Sequence, residues 1–468
     1  MKLNKLKTLT VAAIFATVLA LGAAALQAAT LTVANGTSGT CTGTYSTIQA
    51  AVNAANPNDT ISVCPGTYPE MVQITKTLTF LGAQNGVDAR TRAVPATSES
   101  TVGSGDGAFQ IEADNVVIDG FTIQGVVNDP SQPPFTGLGA GVWSNPGFSA
   151  TQGGFQILNN IIQNNIIGIE MDNTGAIQAK VQYNLIQNNN NSGPDGGTGI
   201  DTNFGANNVV VDSNKFVGHT NSAIGVFSAG SSITWSKNEF ASNRRAFGLF
   251  NVTSSSITNN NIHNSNDSAT ADLRIFGGVS SLTVTCNTFA NGAGFAIRIN
   301  DAGFTAPTPD PNSMITINLN NISGYPVAGL QVDAGGYSGG PMSLDATNDW
   351  WGAASGPNYN GGGPGTGEAI VDPDGVVKFS PFLGNPGACA VCPNSNPGCT
   401  TTRKDCQKFV EQEEKNFNDM QKAQKKSFDA THPTPAQRKA FEANQKSAKD
   451  SFQAHYKAEE QQCSQIPK

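Results

Sequence analysis

The triplet Asn160-Ile161-Ile162 returns as Asn184-Leu185-Ile186, Asn214-Lys215-Phe216, Asn238-Glu239-Phe240, Asn260-Asn261-Ile262, Asn287-Thr288-Phe289, Asn320-Asn321-Ile322 and Asn348-Asp349-Trp350. An Asn followed two positions later by a large apolar residue thus recurs at spacings of 24, 30, 24, 22, 27, 33 and 28 residues. Periods in this range belong to solenoids, whose units stack because none can bury its apolar face alone. The uneven spacings locate insertions, such as 188–197 and 264–270. Five residues before each of the first seven apolar anchors stands another apolar residue: Ile157, Val181, Val211, Trp235, Ile257, Val284 and Ile317. Brief strands are implied, not helices.

Later in each unit a second strand alternates, with Ile169, Ile200, Val226, Leu249, Ile275, Ile299 and Val332 expected to face inward. Coils stacked ~4.8 Å apart would pair every strand with those above and below and build one continuous core. The expected fold is therefore all-β, a parallel β-helix, in which the Asn column forms a ladder of stacked amides and Trp235 is buried. Open ends of such a stack need covering. In residues 45–55, Ser46 and Gln49 have capping-box spacing, and Ile48, Val52 and Ala55 share one face of a short helix that would close the first end. Asn348-Asp349-Trp350-Trp351-Gly352 and the apolar run 376–383 would finish the other.

The first segment, with Ile48-Gln49-Ala50-Ala51-Val52, Asp59-Thr60-Ile61-Ser62-Val63 and Pro65-Gly66-Thr67-Tyr68-Pro69-Glu70, resembles the opening of pectin-lyase-like right-handed parallel β-helix proteins. The Asn348 to Gly352 stretch, Ser355-Gly356-Pro357 and residues 379–383 are similar to the closing segment of secreted bacterial β-helix proteins. The resemblance spans about residues 31–383 and implies a right-handed coil. It leaves activity open, because that superfamily holds lyases, hydrolases, esterases and proteins with no known reaction. Gly66-Thr67-Tyr68-Pro69-Glu70 also resembles the first motif of pectin methylesterases, but the rest of that pattern is absent, as are the Asn-Thr-Asp, Asp-Asp and Gly-His-Gly signatures of polygalacturonases. Gly66 is accordingly read as a turn residue, Tyr68 as packing and Glu70 as a surface acid.

Alternation of the second strand predicts an outward column of Glu170, Asp201, Phe227, Phe250, Phe276, Asn300 and Asp333, beside a second of Gly168, Gly199, Gly225, Gly248, Arg274, Arg298 and Gln331. Such a flat strip suits an extended glycan, with Phe227, Phe250, Phe276, Arg274 and Arg298 as contacts. Glu170 and Asp201 on neighbouring coils would lie about 5 Å apart, near the carboxyl separation of retaining glycosidases, and Asp172 adds a third acid. These three are the candidate catalytic residues; the same oxygens could ligate Ca²⁺, the one ion suggested where no cofactor is required. Plain surface acids with Phe residues packed under loops are the alternative. The expected function is a non-catalytic protein presenting this strip to a polysaccharide or cell-envelope glycan, and its rival is a polysaccharide lyase or glycoside hydrolase acting on uronate glycans. Asp372-Pro373-Asp374-Gly375 lacks the spacing of a calcium loop and reads as a turn.

Composition agrees with a turn-rich β protein. Of 468 residues 51 are Gly, 38% are hydrophobic and 13% charged, so low apolar content comes without the charge of a disordered chain. A net charge of −8 excludes a nucleic-acid partner, which needs a basic surface. Residues 1–29 read as a secretory signal, with Lys2, Lys5 and Lys7 before an apolar run over 11–26, and no later stretch is long enough to span a membrane. A secreted, periplasmic or cell-surface location follows. Lys and Arg number 11 against 25 Asp and Glu over 30–401, but 13 against 10 over 402–468. The expected division is a β-helix over 30–383, a Cys/Pro/Gly linker over 384–402 and a helical hairpin over 403–468.

Eight cysteines suit an oxidising compartment. Cys41 and Cys64 flank the first helix and are expected to bridge; Cys389, Cys392 and Cys399 read as disulfide formers and Cys286 as a buried thiol. In the tail, Cys406 with Cys463, Phe417 with Phe452 and Phe428 with Phe441 are equidistant from the His432-Pro433-Thr434-Pro435 turn, and the steps of 11 residues keep each arm's anchors on one face. Non-reducing peptide mapping should join Cys406 to Cys463, and residues 402–468 made alone should lose helicity on reduction, since that loop closure is worth roughly 4 kcal/mol. A Cys406 bridge to Cys392 or Cys399 would refute the hairpin.

Overall fold

The computed structural model describes residues 28–36, 39–92, 98–129, 139–146, 151–301 and 311–386, with twelve residues of the tail between 418 and 457. The signal segment, the linker and tail cysteines and the tail Phe residues lie outside these. Three long sheets run through the described residues, a first of 13 strands, a second of 10 and a third of 12 in the order in which the chain meets them, and every strand pair is parallel. This is a parallel β-helix. No described helix is long and apolar enough to cross a membrane.

The first sheet turns into the second within two residues, for example between Gln156–Leu158 and Ile161–Gln163. The first corner residue takes a left-handed conformation, with φ between 53° and 61° at Asn159, Tyr183, Ser213, Lys237, Asn259, Cys286, Leu319 and Asn348. The second points its side chain into the corner, and there the amides stack. Asn214 Nδ2 donates to the Val181 carbonyl at 2.8 Å and to Asn238 Oδ1 at 3.1 Å, while its backbone N–H donates to the same Oδ1 at 2.9 Å. The pattern runs from Asn160 to Asn320. Buried amides tolerate such a place only when their donors and acceptors are used.

With the corners locked, the inward columns align as expected. Ile157, Val181, Val211, Trp235, Ile257, Val284 and Ile317 are successive partners in the first sheet. Ile162, Ile186, Phe216, Phe240, Ile262, Phe289 and Ile322 are partners in the second. Trp235 is 1% exposed.

The last rung differs from the expected one. Asn348 holds the left-handed position, and the rung is Asp349, with Trp351 rather than Trp350 facing inward at 0% exposure. Asn-Asp-Trp-Trp repeats its own residue types, so either register satisfies the pattern. Asp349 Oδ1 accepts from the Asn320 N–H and Nδ2 at 2.7 and 3.0 Å. Its Oδ2, in the place where earlier rungs carry a donating Nδ2, is buried without a partner. Burial pushes the Asp349 carboxyl well above the usual carboxylate range, in favour of its neutral form.

At the opposite end the helix Ile48–Ala54 buries Ile48, Ala51 and Val52. Its N-cap is Thr47, one residue later than expected, accepting from the Ala50 N–H at 3.2 Å. Glu70 is not a simple surface acid: its two oxygens accept the Ile48 and Gln49 N–H groups at 2.8 and 2.9 Å, where a carboxylate favours a helix N-terminus. Gly66 lies in the strand Gly66–Tyr68 rather than in a turn, and Tyr68 is buried with its hydroxyl donating to the Cys64 carbonyl at 2.9 Å. Cys41 and Cys64 form the expected disulfide. Cys286, in contrast, is no buried thiol: it sits in a partly exposed corner and is disulfide-bonded to a partner outside the described residues. Asp372 closes the expected turn, accepting from the Val376 and Val377 N–H groups at 3.1 and 2.8 Å.

The ladder predicts opposite signs for two substitutions in urea unfolding. Asn238→Ala strands the donors of Asn214 and should cost about 3 kcal/mol or more. Asp349→Asn places a permanent donor there, free of the cost of holding a proton, and should stabilise by about 1–3 kcal/mol. The Asp349→Asn gain should be larger at pH 8 than at pH 5, because a carboxyl with a raised folded-state pKa gives up stability as pH rises above its unfolded value.

Candidate functional site

The third sheet is the one flanked by long connections, 188–197 and 264–270 on one side and 172–178 and 333–343 on the other. Its outward face is therefore a floor between loop walls, the usual placement of functional groups on a rigid scaffold. Along that floor Trp143 pairs with Glu170 and Glu170 with Asp201. Ile200 pairs with Ile224, which sets Asp201 level with Gly225, and the column continues through Gly248, Arg274, Arg298 and Gln331.

The expected columns need correction here. Phe227, Phe250, Phe276, Asn300 and Asp333 stand two residues further along, level with Asp172 and Asn203 rather than with Glu170 and Asp201. Strand Thr198–Asp201 has a single apolar inward residue, and Ile224 and Val226 are both apolar and inward. A slip of two keeps every side chain on its face while changing its neighbours, so alternation alone does not detect it. The correct register joins the three acids and the two arginines into one floor, acidic at one end and cationic at the other.

Two of the expected bare glycines are not floor. A Cβ at Gly168 would lie 2.9 Å from Asn189 Nδ2, and one at Gly199 would lie 3.0 Å from His219 Nε2. Both belong to a second ladder of Asn165, Asn189, His219 and Asn243 at the corner between the second and third sheets. Asn243 Oδ1 accepts from the His219 backbone N–H and ring Nδ1 at 3.0 and 2.9 Å, leaving Nε2 to accept from Asn189 Nδ2 at 3.3 Å. Burial lowers the His219 pKa to about 4, so the ring is neutral. The sequence signal for this ladder is an Asn five residues after a first-ladder Asn, interrupted by the His.

The acids are enclosed. Glu170 is 3% exposed and Asp172 and Asp201 0%. Glu170 Oε1 accepts the Asn203 N–H at 3.1 Å, and Asn203 Nδ2 donates to Asp201 Oδ2 at 2.9 Å. Burial, then repulsion by Asp201 and Asp172, pushes Glu170 well above the carboxylate range. Burial, then Asp195, does the same to Asp201. Burial raises Asp172 to about 7 against the opposing pull of the Phe204 N–H and the Trp143 indole. Among the described residues no group of three or more His, Cys, Asp or Glu side chains is arranged to hold a metal ion.

The aromatic residues cluster instead of lying as separate flat faces. Phe227 and Phe250 each stand 6.0 Å from Phe276, at 49° and 24°, and Phe276 is 2% exposed. Arg274 lies 5.2 Å from the Phe276 ring centroid, and Arg298 pairs with Asp333 at 2.7 Å. Composition and alternation alone did not single out Trp143, Asn203, Ser222 or Arg245, whose place at the site depends on the corrected register.

No protein-family model matches the chain, and no curated protein does. Among solved structures it is similar to an alginate lyase from Paenibacillus sp. str. FPU-7, at 15% identity over 68% of this chain and 99% of that one, with a TM-score of 0.44. It is also similar to the A-module of the mannuronan C-5 epimerase AlgE4 from Azotobacter vinelandii, at 12% identity over 72% and 92%, TM-score 0.40. A third is pectate lyase Pel9A, at 13% identity over 78% and 83%, TM-score 0.35. Likeness at this level says nothing about the chemistry of this chain.

Because the folded state holds the protons of Glu170, Asp172 and Asp201 more tightly than the unfolded chain, their stabilising share is full below about pH 4 and falls as pH rises through the folded-state values. His219 acts in the opposite sense, but only between its lowered value of about 4 and the ordinary 6.5. Stability should therefore fall from about pH 6.5 through the Asp172 value of about 7, and Asp172→Asn should flatten that slope. Calorimetry across this window checks it, and an unchanged slope in the variant would refute the assignment.

Proposed function

We propose that this is an exported β-helix protein that binds a polysaccharide or cell-envelope glycan along the outward face of its third sheet without cleaving it. One observation carries the reading: the three acids that cleavage would need are closed off from solvent, while Phe227, Phe250, Arg274 and Arg298 on the same face stay partly exposed. Aromatic faces and guanidinium groups offer apolar and hydrogen-bonding contacts to a sugar chain, and the loop walls restrict it to one path.

Export rests on the lysine-led apolar segment before residue 30 and on the Cys41–Cys64 bridge, which persists in an oxidising compartment. The coil is taken as right-handed, as crossovers between parallel strands nearly always are. The helix Ile48–Ala54 is taken as its end cap. For residues 403–468 the hairpin reading is supported by the helical state of all twelve described tail residues and by Arg438 Nη1 lying 2.6 Å from Asp429 Oδ1, across the prolines.

The second reading, a polysaccharide lyase or glycoside hydrolase, draws on one feature, the Glu170 and Asp201 carboxyls on adjacent strands, whose burial favours their protonated forms. A screen of the full chain against neutral and uronate polysaccharides, scoring both retention and new reducing or unsaturated ends, separates the two. Retention without new ends, weakened in Phe250→Ala, is the expected outcome. Turnover lost in Glu170→Gln or Asp201→Asn would replace binding with catalysis.

A further inference from the structure

The cations of the third sheet are not all answered by acids. Arg244 pairs with Asp267 at 2.6 Å and Arg298 with Asp333. Arg245 and Arg274 have no carboxylate partner among the described residues. Arg245 Nε donates to the Asn221 carbonyl at 3.2 Å, and Arg274 Nε reaches Asn300 Oδ1 at 3.5 Å. Arg245 is only 7% exposed; Arg244 and Arg274 add repulsion to its loss of hydration, and Asp267, already paired with Arg244, offsets this only in part and from beyond contact. A buried guanidinium without a counter-charge in contact is costly, and an anion bound beside it relieves that cost.

Beside it lies Ser222, 0% exposed, whose Oγ has no hydrogen-bond partner. The two converge on one point. A Cβ placed on Gly248 would stand 3.4 Å from Ser222 Oγ, 3.7 Å from Arg245 Nη1 and 3.5 Å from Phe276 Cε1. Arg274 is the cross-strand neighbour of Gly248 and lies against the same Phe276 ring. A hydroxyl donor, guanidinium N–H donors and an aromatic edge thus surround one of the two floor glycines; at the other, Gly225, a Cβ would meet Phe227 Cε2 at 2.6 Å and Asp201 Oδ1 at 2.9 Å, so only Gly248 leaves room.

We propose that Ser222, Arg245 and Arg274 form an oxyanion subsite over Gly248 that takes the carboxylate or sulfate group of an anionic sugar. The proposal rests on reading this face as glycan-binding and adds to it the charge of the ligand and the place where that charge is held. A carboxylate or sulfate oxygen accepts from Ser222 Oγ and the Arg245 fork, Arg274 approaches from the next coil, and the sugar ring lies toward the Phe276 cluster. Arg298 is not part of it, because Asp333 already answers that charge.

The test uses the full chain in titration calorimetry with a polygalacturonate oligomer, its methyl ester and a sulfated glycan. A preference for either charged glycan over the ester supports the subsite, and the preferred one names the group. Arg274→Gln and Gly248→Val should each weaken that binding by about tenfold or more, the size of a charge-assisted contact, and remove the preference for the charged glycan over the ester. Equal affinity for oligomer and ester, or unchanged affinity in both variants, would overturn it. If no polysaccharide binds, the glycan-binding reading fails, and the subsite is tested alone by thermal shift with sodium galacturonate and sodium sulfate. Stabilisation by either salt that Gly248→Val removes keeps the subsite; no stabilisation, or one that persists in Gly248→Val, ends it.

Discussion

The structure depends on the satisfaction of buried amides at one corner. A strand in the middle of a coil finds its backbone partners on the coils above and below, but a chain bending by a sharp angle in two residues leaves polar groups inside the bend. Asn meets this need because one amide both accepts and donates. Its oxygen takes the N–H groups of the preceding coil while its nitrogen returns to a strand carbonyl of that coil. Each rung therefore sets the level of the next, and the inward columns of two sheets follow from it.

That dependence explains what was legible in the sequence. Between Val181 and Asn184, or Trp235 and Asn238, the chain has no room to vary, so the columns on either side of the corner could be read directly from spacing. The third sheet is separated from the ladder by connections that differ in length from coil to coil, and its register had to be inferred from alternation alone. Ile200 could face Ile224 or Val226 with equal propriety, and the wrong choice placed the Phe residues beside the acids. His219 concealed the second ladder because an imidazole performs there what an amide performs elsewhere. Glu70 looked like an unengaged acid because the helix it caps lies 22 and 21 residues earlier in the chain.

The corrected register gives the outward face its electrical character. Glu170, Asp172 and Asp201 sit enclosed at one end, where loss of hydration favours their neutral forms, so that this end carries less negative charge than its composition implies. Arginine does not escape in this way, since its guanidinium keeps its proton in any protein environment. Burial thus silences the acids but not the cations, and the face is more positive than a count of its residues would give. A chain with a net charge of −8 can in this manner offer a locally attractive surface to an anion.

Glu70 also bears on the order in which the molecule assembles. Helices usually complete their own ends with a residue next door, as Thr47 does here. The helix Ile48–Ala54 has in addition two N–H groups held by a carboxylate that arrives only after the strand Gly66–Tyr68 has been laid down. At 7 residues it is too short to persist by itself in water. The stability of this first helix is thus tied to the winding of the coil beside it, because its second cap is in place only once the strand Gly66–Tyr68 has been laid down.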